Sequence, residues 1–268
     1  MLKKLYFGFL VTVFLTTLVT SDASAGDLNQ DKGATSDFYL EIRDEIEDLF
    51  FKVENGELTE SEFATMVEQG IGKKLRLEED IDNLIESEKK VITPYSVKAY
   101  YGIEFGLKAS EIALVAKHPI YGAKAKKLAT QASTEAQRRY KKYTLWQGNG
   151  DAFRHAYWSA LMTKHTTKDF AHKAGYAHEG YKTGTYSKIK NLDDKMDIRN
   201  NHLGRNYGAT NKKKSDSSIS NGLVKKVNAG DFVRIRTHTT GSKFELVEGV
   251  KTKPTGKFIK TSSGGNIK

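Results

Sequence analysis

The sequence predicts a mainly α protein, a multi-helix body followed by a small β-rich C-terminal extension. Three observations carry that prediction. Apolar residues recur at three- and four-residue steps over much of 37–207, the spacing that gathers them on one face of a helix. Start and stop signals divide those stretches, among them Asn55-Gly56, Thr59 with Glu62, His118-Pro119 and Gly148-Asn149-Gly150. Alternation of apolar and polar residues is confined to the region beyond 221, in Phe232-Val233-Arg234-Ile235-Arg236 and Phe244-Glu245-Leu246-Val247.

Residues 1–25 read as a signal peptide: Lys3 and Lys4 make a positive start, 5–20 an apolar stretch, and Ala23-Ser24-Ala25 a small-residue cleavage site. That stretch is shorter than a spanning helix of about 20 residues and no later segment approaches one, so integral membrane association is not expected. The sequence contains no cysteine, which excludes both a lipoprotein anchor and a disulfide framework. Secretion without disulfides suits a Gram-positive exporter, with an extracellular or cell-wall-associated product. The polar residues 26–36 read as a flexible mature N-terminus.

An N-terminal helical region is expected over 37–110. Tyr39, Ile42, Ile46, Leu49, Phe50 and Val53 line one helix; Thr59 and Glu62 form a capping box before Phe63, Met66 and Val67; Leu77, Ile81, Leu84 and Ile85 line a third helix. Pro94 interrupts, and 95–117 reads as one or two helices broken near Gly106. A core helical domain is expected over 111–208, with helices at 121–143, from Asp151 as a cap through Met162, at 169–179 and at 195–207. The lysines and serines of 209–221 read as a linker, and 222–268 as a small β-rich tail with a hairpin and a third strand at 256–260.

The net charge is +10, and it falls to +9 when Lys3, Lys4 and Asp22 leave with the leader. The surplus favours anionic partners: phospholipid surfaces, wall polymers or nucleic acid. Nucleic acid fits least, because aromatic residues do not interleave the Lys/Arg runs.

The segment DAFRHAYWSALM, 151–162, poses the functional question. Asp151, His155, Trp158 and Met162 follow one another at four, three and four residues, so one helical face carries an acid and an imidazole beside apolar groups, with Arg154 adjoining. Charges under apolar cover need partners, and two segments can supply them. In AHKAGYAHEG, Ala171, Ala174, Gly175 and Ala177 keep a helix slim ahead of His178-Glu179; in DKMDIRNNHLGRNYG, Asp197, Asn201, Gly204 and Gly208 share one stripe, with Asn200 beside it and Arg205 one turn beyond Asn201.

Convergence of the three helices would make His155 a general base oriented by Asp151 or Asp197, with Arg154 or Arg205 stabilising developing negative charge. His178 and Glu179 would bind a divalent metal ion or serve as acid, and with Asn200 and Asn201 they are the candidate ligands of that ion, the one cofactor this donor set suggests. The purely structural alternative makes Asp151 a cap, Arg154 and Asp197 an ion pair, and the asparagines partners of backbone groups. His118, His165, His172, His202 and His238 read as surface or boundary residues. The sequence holds no HExxH, GxSxG, Walker or EF-hand motif.

DAFRHAYWSALM, AHE at 177–179 and MDIRNNHLGR at 196–205, led in by EIALVAKHP at 111–119, resemble an uncharacterised bacterial domain found in secreted Bacillus-type proteins and at the C-termini of wall-associated or polymorphic-toxin chains. The resemblance covers about 111–208 and implies export and a toxin-like role with an immunity protein as partner. Its notable positions are Asp151, Arg154, His155, Trp158, His178, Glu179, Asp197, Asn200, Asn201, Gly204 and Arg205. A looser similarity is to secreted phospholipases A2, in which a histidine on one helix and an aspartate on a facing helix activate water; their His-Asp dipeptide and calcium loop are missing here. The expectation is a secreted toxin-like hydrolase of a phosphodiester or phospholipid ester. The competing expectation is a non-catalytic envelope protein that binds anionic wall polymer.

Overall fold

The computed structural model describes residues 30–75, 107–237 and 254–265, without the side chains of 30–37 and 254. The signal peptide, the helix around Leu77 to Ile85, the break near Gly106 and the strand at 244–247 that the sequence leads one to expect all fall outside these residues. The described fold is mainly helical with one small antiparallel strand pair.

Helix α1 spans Gln30–Glu54, α2 Glu60–Gln69 and α3 Ile71–Lys74. The start at Gln30 corrects the expectation of a flexible segment through 36, since a helix nucleated by apolar residues downstream can propagate into polar ones. Thr59 and Glu62 make the expected capping box: the Thr59 hydroxyl accepts from Glu62 N–H at 3.2 Å and Thr59 N–H donates to the Glu62 carboxylate at 2.8 Å. The apolar stripe of α1 packs on Phe63, Val67 and Ile71, with the Phe50 and Phe63 rings stacked at 4.9 Å. Ile112, Val115 and Ala123 complete that cluster, so the apolar core of the N-terminal region runs across the expected boundary at 110.

Helix α4 spans Ala109–Lys117 and α5 Pro119–Arg139. His118 is non-helical between them, as steric conflict with the following proline requires, and Pro119 opens α5 where its missing N–H costs nothing. Helix α5 ends at Arg139 rather than 143, and the chain continues through extended Tyr140 into a 3-10 turn, Lys142–Thr144.

Helix α6, Asn149–His165, is the central element: every residue of 149–163 except Arg154 is buried. Helix α7, Lys168–His178, is capped by Thr167, whose hydroxyl accepts from Phe170 N–H at 3.0 Å. Helix α8, Leu192–Thr210, crosses α6 at close range. A Cβ at Gly204 would collide with the Ala156 carbonyl, and one at Gly208 would lie 2.5 Å from the Ala160 oxygen, so glycine alone permits this approach.

Helix α9, Asp216–Ala229, begins at the Ser215 cap and ends at Gly230 in the left-handed conformation, φ 81°. This corrects the linker at 209–221 and the start of the β-rich tail at 222. The break between α8 and α9 is only 211–215, and Ile219, Leu223 and Val227 recur at four-residue steps into the main core, where they are fully buried. Their stripe was hidden among lysines and serines. Strand β1, Val233–Arg236, pairs antiparallel with β2, Pro254–Lys260, with Val233 opposite Lys260 and Arg234 opposite Ile259. Among the described residues, no helix is long and apolar enough to cross a membrane.

Candidate functional site

Asp151 and His155 lie one turn apart on α6, on the face that meets α8, and the pinch at Gly204 and Gly208 lets Asp197 reach them. His155 Nε2 stands 3.5 Å from Asp151 Oδ1 and 3.5 Å from Asp197 Oδ1. The three residues are 2%, 1% and 8% exposed. Arg154 closes the group, donating from Nη2 to Asp151 Oδ1 at 2.6 Å and lying 3.0 Å from His155 Nε2.

Asp151 does not cap α6 in the expected way. The cap position is Gly148, and Asp151, in the first turn, reaches back so that its Oδ2 accepts from Gln147 N–H at 2.6 Å. Negative charge is also favoured there by the helix dipole. Asp197 is treated differently. Burial, reinforced by the negative charges of Asp151, Glu179 and Asp193, holds its carboxyl well above the usual carboxylate range, against the opposing pull of Arg154. Its Oδ1 has no hydrogen-bond partner among the described residues. Two carboxyl groups of one site are thus set apart, with Asp151 paired to a guanidinium and Asp197 poised to hold a proton.

The other predicted residues take different places. His178, at the end of α7, has its ring 6.0 Å from that of His155 and edge-on to Trp158, but its Nδ1 lies 3.0 Å from Glu111 Oε1 on α4. Burial pushes the Glu111 carboxyl up, yet the charge and bond of His178 and the Lys108 N–H outweigh it and leave the group below its usual range. Glu179 caps α7, buried, with Oε2 4.0 Å from Lys108 Nζ. Asn200 is no candidate ligand: its side-chain amide donates to Val233 C=O at 2.9 Å and accepts from Val233 N–H at 3.1 Å. Asn201 is fully buried against Gly175, and neither of its amide atoms has a partner among the described residues. Arg205 does not join the centre either. It follows Asp197 by eight residues, about 12 Å along the helix, and its Nη2 lies 3.0 Å from His202 Nδ1.

The metal assignment is corrected accordingly. Asp151, His155 and Asp197, rather than the expected four residues, form the described group whose ligand atoms lie within 4.8 Å of one another. Arg154 competes for that position. With metal bonds of about 2 Å to His155 Nε2 and Asp151 Oδ1, an ion would lie within about 3.5 Å of the Arg154 nitrogen and would have to displace the guanidinium or bear its repulsion. The site therefore carries a cation of its own.

His155 and Arg154 border a crevice of about 430 Å³ between α1, α4, α5, α6 and α7. Phe50, Phe51, Leu114, Val115, Trp158 and Phe170 make its apolar walls, and Glu111 and His178 join Arg154 and His155 among its polar lining. The sequence reading missed the crevice and Glu111. Glu111 had one signal, an acid three residues after the start of a capped helix; the crevice had none, because its walls come from separated segments.

Residues 112–231 match the model of a family described as a domain of unknown function (DUF6973). The matched segment runs past 208, where the sequence resemblance ends, and takes in α9, in agreement with the place of that helix in the core. No curated protein and no solved structure matches the chain.

Proposed function

We propose that the protein is a secreted, toxin-like hydrolase that cleaves a carboxylic ester of a phospholipid. The observation that carries this reading is His155, buried between the carboxyl groups of Asp151 and Asp197, at the edge of an apolar crevice. His155 takes a proton from water as the water oxygen bonds to the ester carbon. Asp151 stabilises the imidazolium, as an aspartate does in a hydrolytic triad, and Asp197, 3.5 Å from the same nitrogen, holds the ring in place. Arg154 balances the negative charge on the carbonyl oxygen, and collapse of the intermediate breaks the bond to the alcohol, which recovers the proton from His155. Apolar walls suit an acyl chain and offer little to the charged flanks of a phosphodiester, so the lipid ester is favoured within the substrate class. The positive net charge supports attraction to an anionic lipid surface, the leader supports export, and an immunity protein is the partner that a toxin-like role implies.

The test is fatty-acid release from phosphatidylglycerol vesicles by the chain lacking 1–25, beside a chromogenic phosphodiester. Release that falls about 10²-fold or more in His155→Gln supports the reading. No release, or release indifferent to that substitution, overturns it.

One observation favours the non-catalytic alternative: both Asp151 oxygens are engaged locally, by Gln147 N–H and Arg154, as in a structural acid. On that reading the exposed Lys257 and Lys260 of β2 contribute to binding anionic wall polymer. Charge reversal at these two positions, scored by co-sedimentation with cell walls, tests it. Deletion of 212–268 does not, because it removes Ile219, Leu223 and Val227 from the core.

A further inference from the structure

We infer that Gln147 is a positioning residue for Asp151, and that the C-terminal strand pair is the clasp that holds it in place. Gln147 is the one non-glycine residue with positive φ, 57°, among the described residues. A side chain held in that region signals a position over-determined by its surroundings.

Those surroundings are specific. The Gln147 carbonyl accepts from both Ile235 N–H and Arg236 N–H at 3.0 Å, and its side-chain Oε1 accepts from Arg236 Nε at 3.0 Å. The Arg236 guanidinium lies 3.9 Å over the Trp146 ring. With its carbonyl held by β1, the Gln147 N–H points at Asp151 Oδ2, which leaves Oδ1 turned to Arg154 and His155. Strand β1 also pairs Val233 with Asn200, three residues from Asp197. One short strand thus grips both helices that bring acids to His155. The residues after β2 add a second hold on α6: Asn149 donates to the carbonyls of Ser262 and Gly264 at 2.8 and 2.6 Å. The strand pair is therefore part of the site's frame.

The inference rests on His155 as the base of the proposed hydrolase, and its test has a readout independent of turnover. Gln147→Gly keeps the left-handed backbone without strain and retains all three bonds of the backbone carbonyl and N–H. Gln147→Val disfavours that backbone through its β-branch and turns the N–H away from Asp151. In the chain lacking 1–25, Gln147→Val is expected to lower kcat for vesicle hydrolysis about 10²-fold with KM unchanged, while Gln147→Gly stays within about threefold of wild type. The His155 imidazole titration, followed by ¹⁵N NMR, is expected to shift in Gln147→Val and not in Gln147→Gly.

A folded Gln147→Val with wild-type kcat and an unshifted titration overturns the inference. So does a lowered melting temperature with an unshifted titration, since that marks a structural role alone. If wild type hydrolyses nothing, the function fails, and the titration difference between the two variants still decides the positioning. Should Gln147→Val not fold, Gln147→Ala, which strains the left-handed backbone less than a β-branched residue does, is read by the same titration; no shift there overturns the inference.

Discussion

His155 and Asp197, on helices joined by no local contact in sequence, place Nε2 and Oδ1 3.5 Å apart across the crossing of α6 and α8. Asp197 is the buried carboxyl whose protonated form the fold favours, and this relationship sets the first prediction. A carboxyl raised above its unfolded value contributes most stability below the unfolded pKa, and that contribution is lost as pH rises toward the folded value. Asp197→Asn, which cannot ionise, should therefore melt higher than wild type at pH 8, with the difference shrinking toward pH 4. Calorimetry at the two pH values checks this; a variant less stable than wild type at pH 8 contradicts it.

The helix crossing itself is a second target. Because a methyl group at 204 would collide with the Ala156 backbone carbonyl rather than a movable side chain, Gly204→Ala should cost at least about 3 kcal/mol. Gly56→Ala is the control: its added Cβ meets nothing within 4 Å, so the cost is limited to backbone strain at φ 77°, about 1 kcal/mol. Urea denaturation of the pair separates packing from backbone effects.

His178 is predicted to act on stability through Glu111. Removing the imidazole leaves the Glu111 carboxylate short of its main partner, so His178→Ala should cost about 2 kcal/mol at pH 7, less than for a fully buried pair. Glu111 is held below its usual range, so its contribution is present above the unfolded pKa and is lost as pH falls through the folded value. The cost of His178→Ala should accordingly shrink at pH 3.5. A cycle with Glu111→Gln that shows no coupling refutes the pairing.

Asn200→Ala leaves the N–H and C=O of Val233 without their partner, and at about 1 kcal/mol for each bond the loss should be roughly 2 kcal/mol. Hydrogen exchange should rise first in β1. An Asn200 that served only a metal would leave exchange in β1 unchanged.

The helices with strong stripes and plain caps were legible in the sequence. The α1 stripe, the Thr59–Glu62 box, the boundary at His118-Pro119 and the strand around Val233 all follow from local chemistry that acts within a few residues. Helix α9 was hidden because polar residues surround a stripe of only three apolar side chains, which the core and not composition selects.

At the site, the sequence by itself determined which residues could do chemistry: an acid and an imidazole one turn apart on an otherwise apolar helix, and a second acid on a glycine-striped one. Tertiary structure alone decided which of them meet. It joined Asp151, Arg154, His155 and Asp197, gave Asn200 to a strand and Arg205 to His202, and turned His178 toward Glu111. Helical spacing specifies the face a side chain occupies, whereas the register of one helix on another depends on where backbones can touch. Here that was settled by the contacts of Gly204 and Gly208 with α6, beyond the reach of any local pattern.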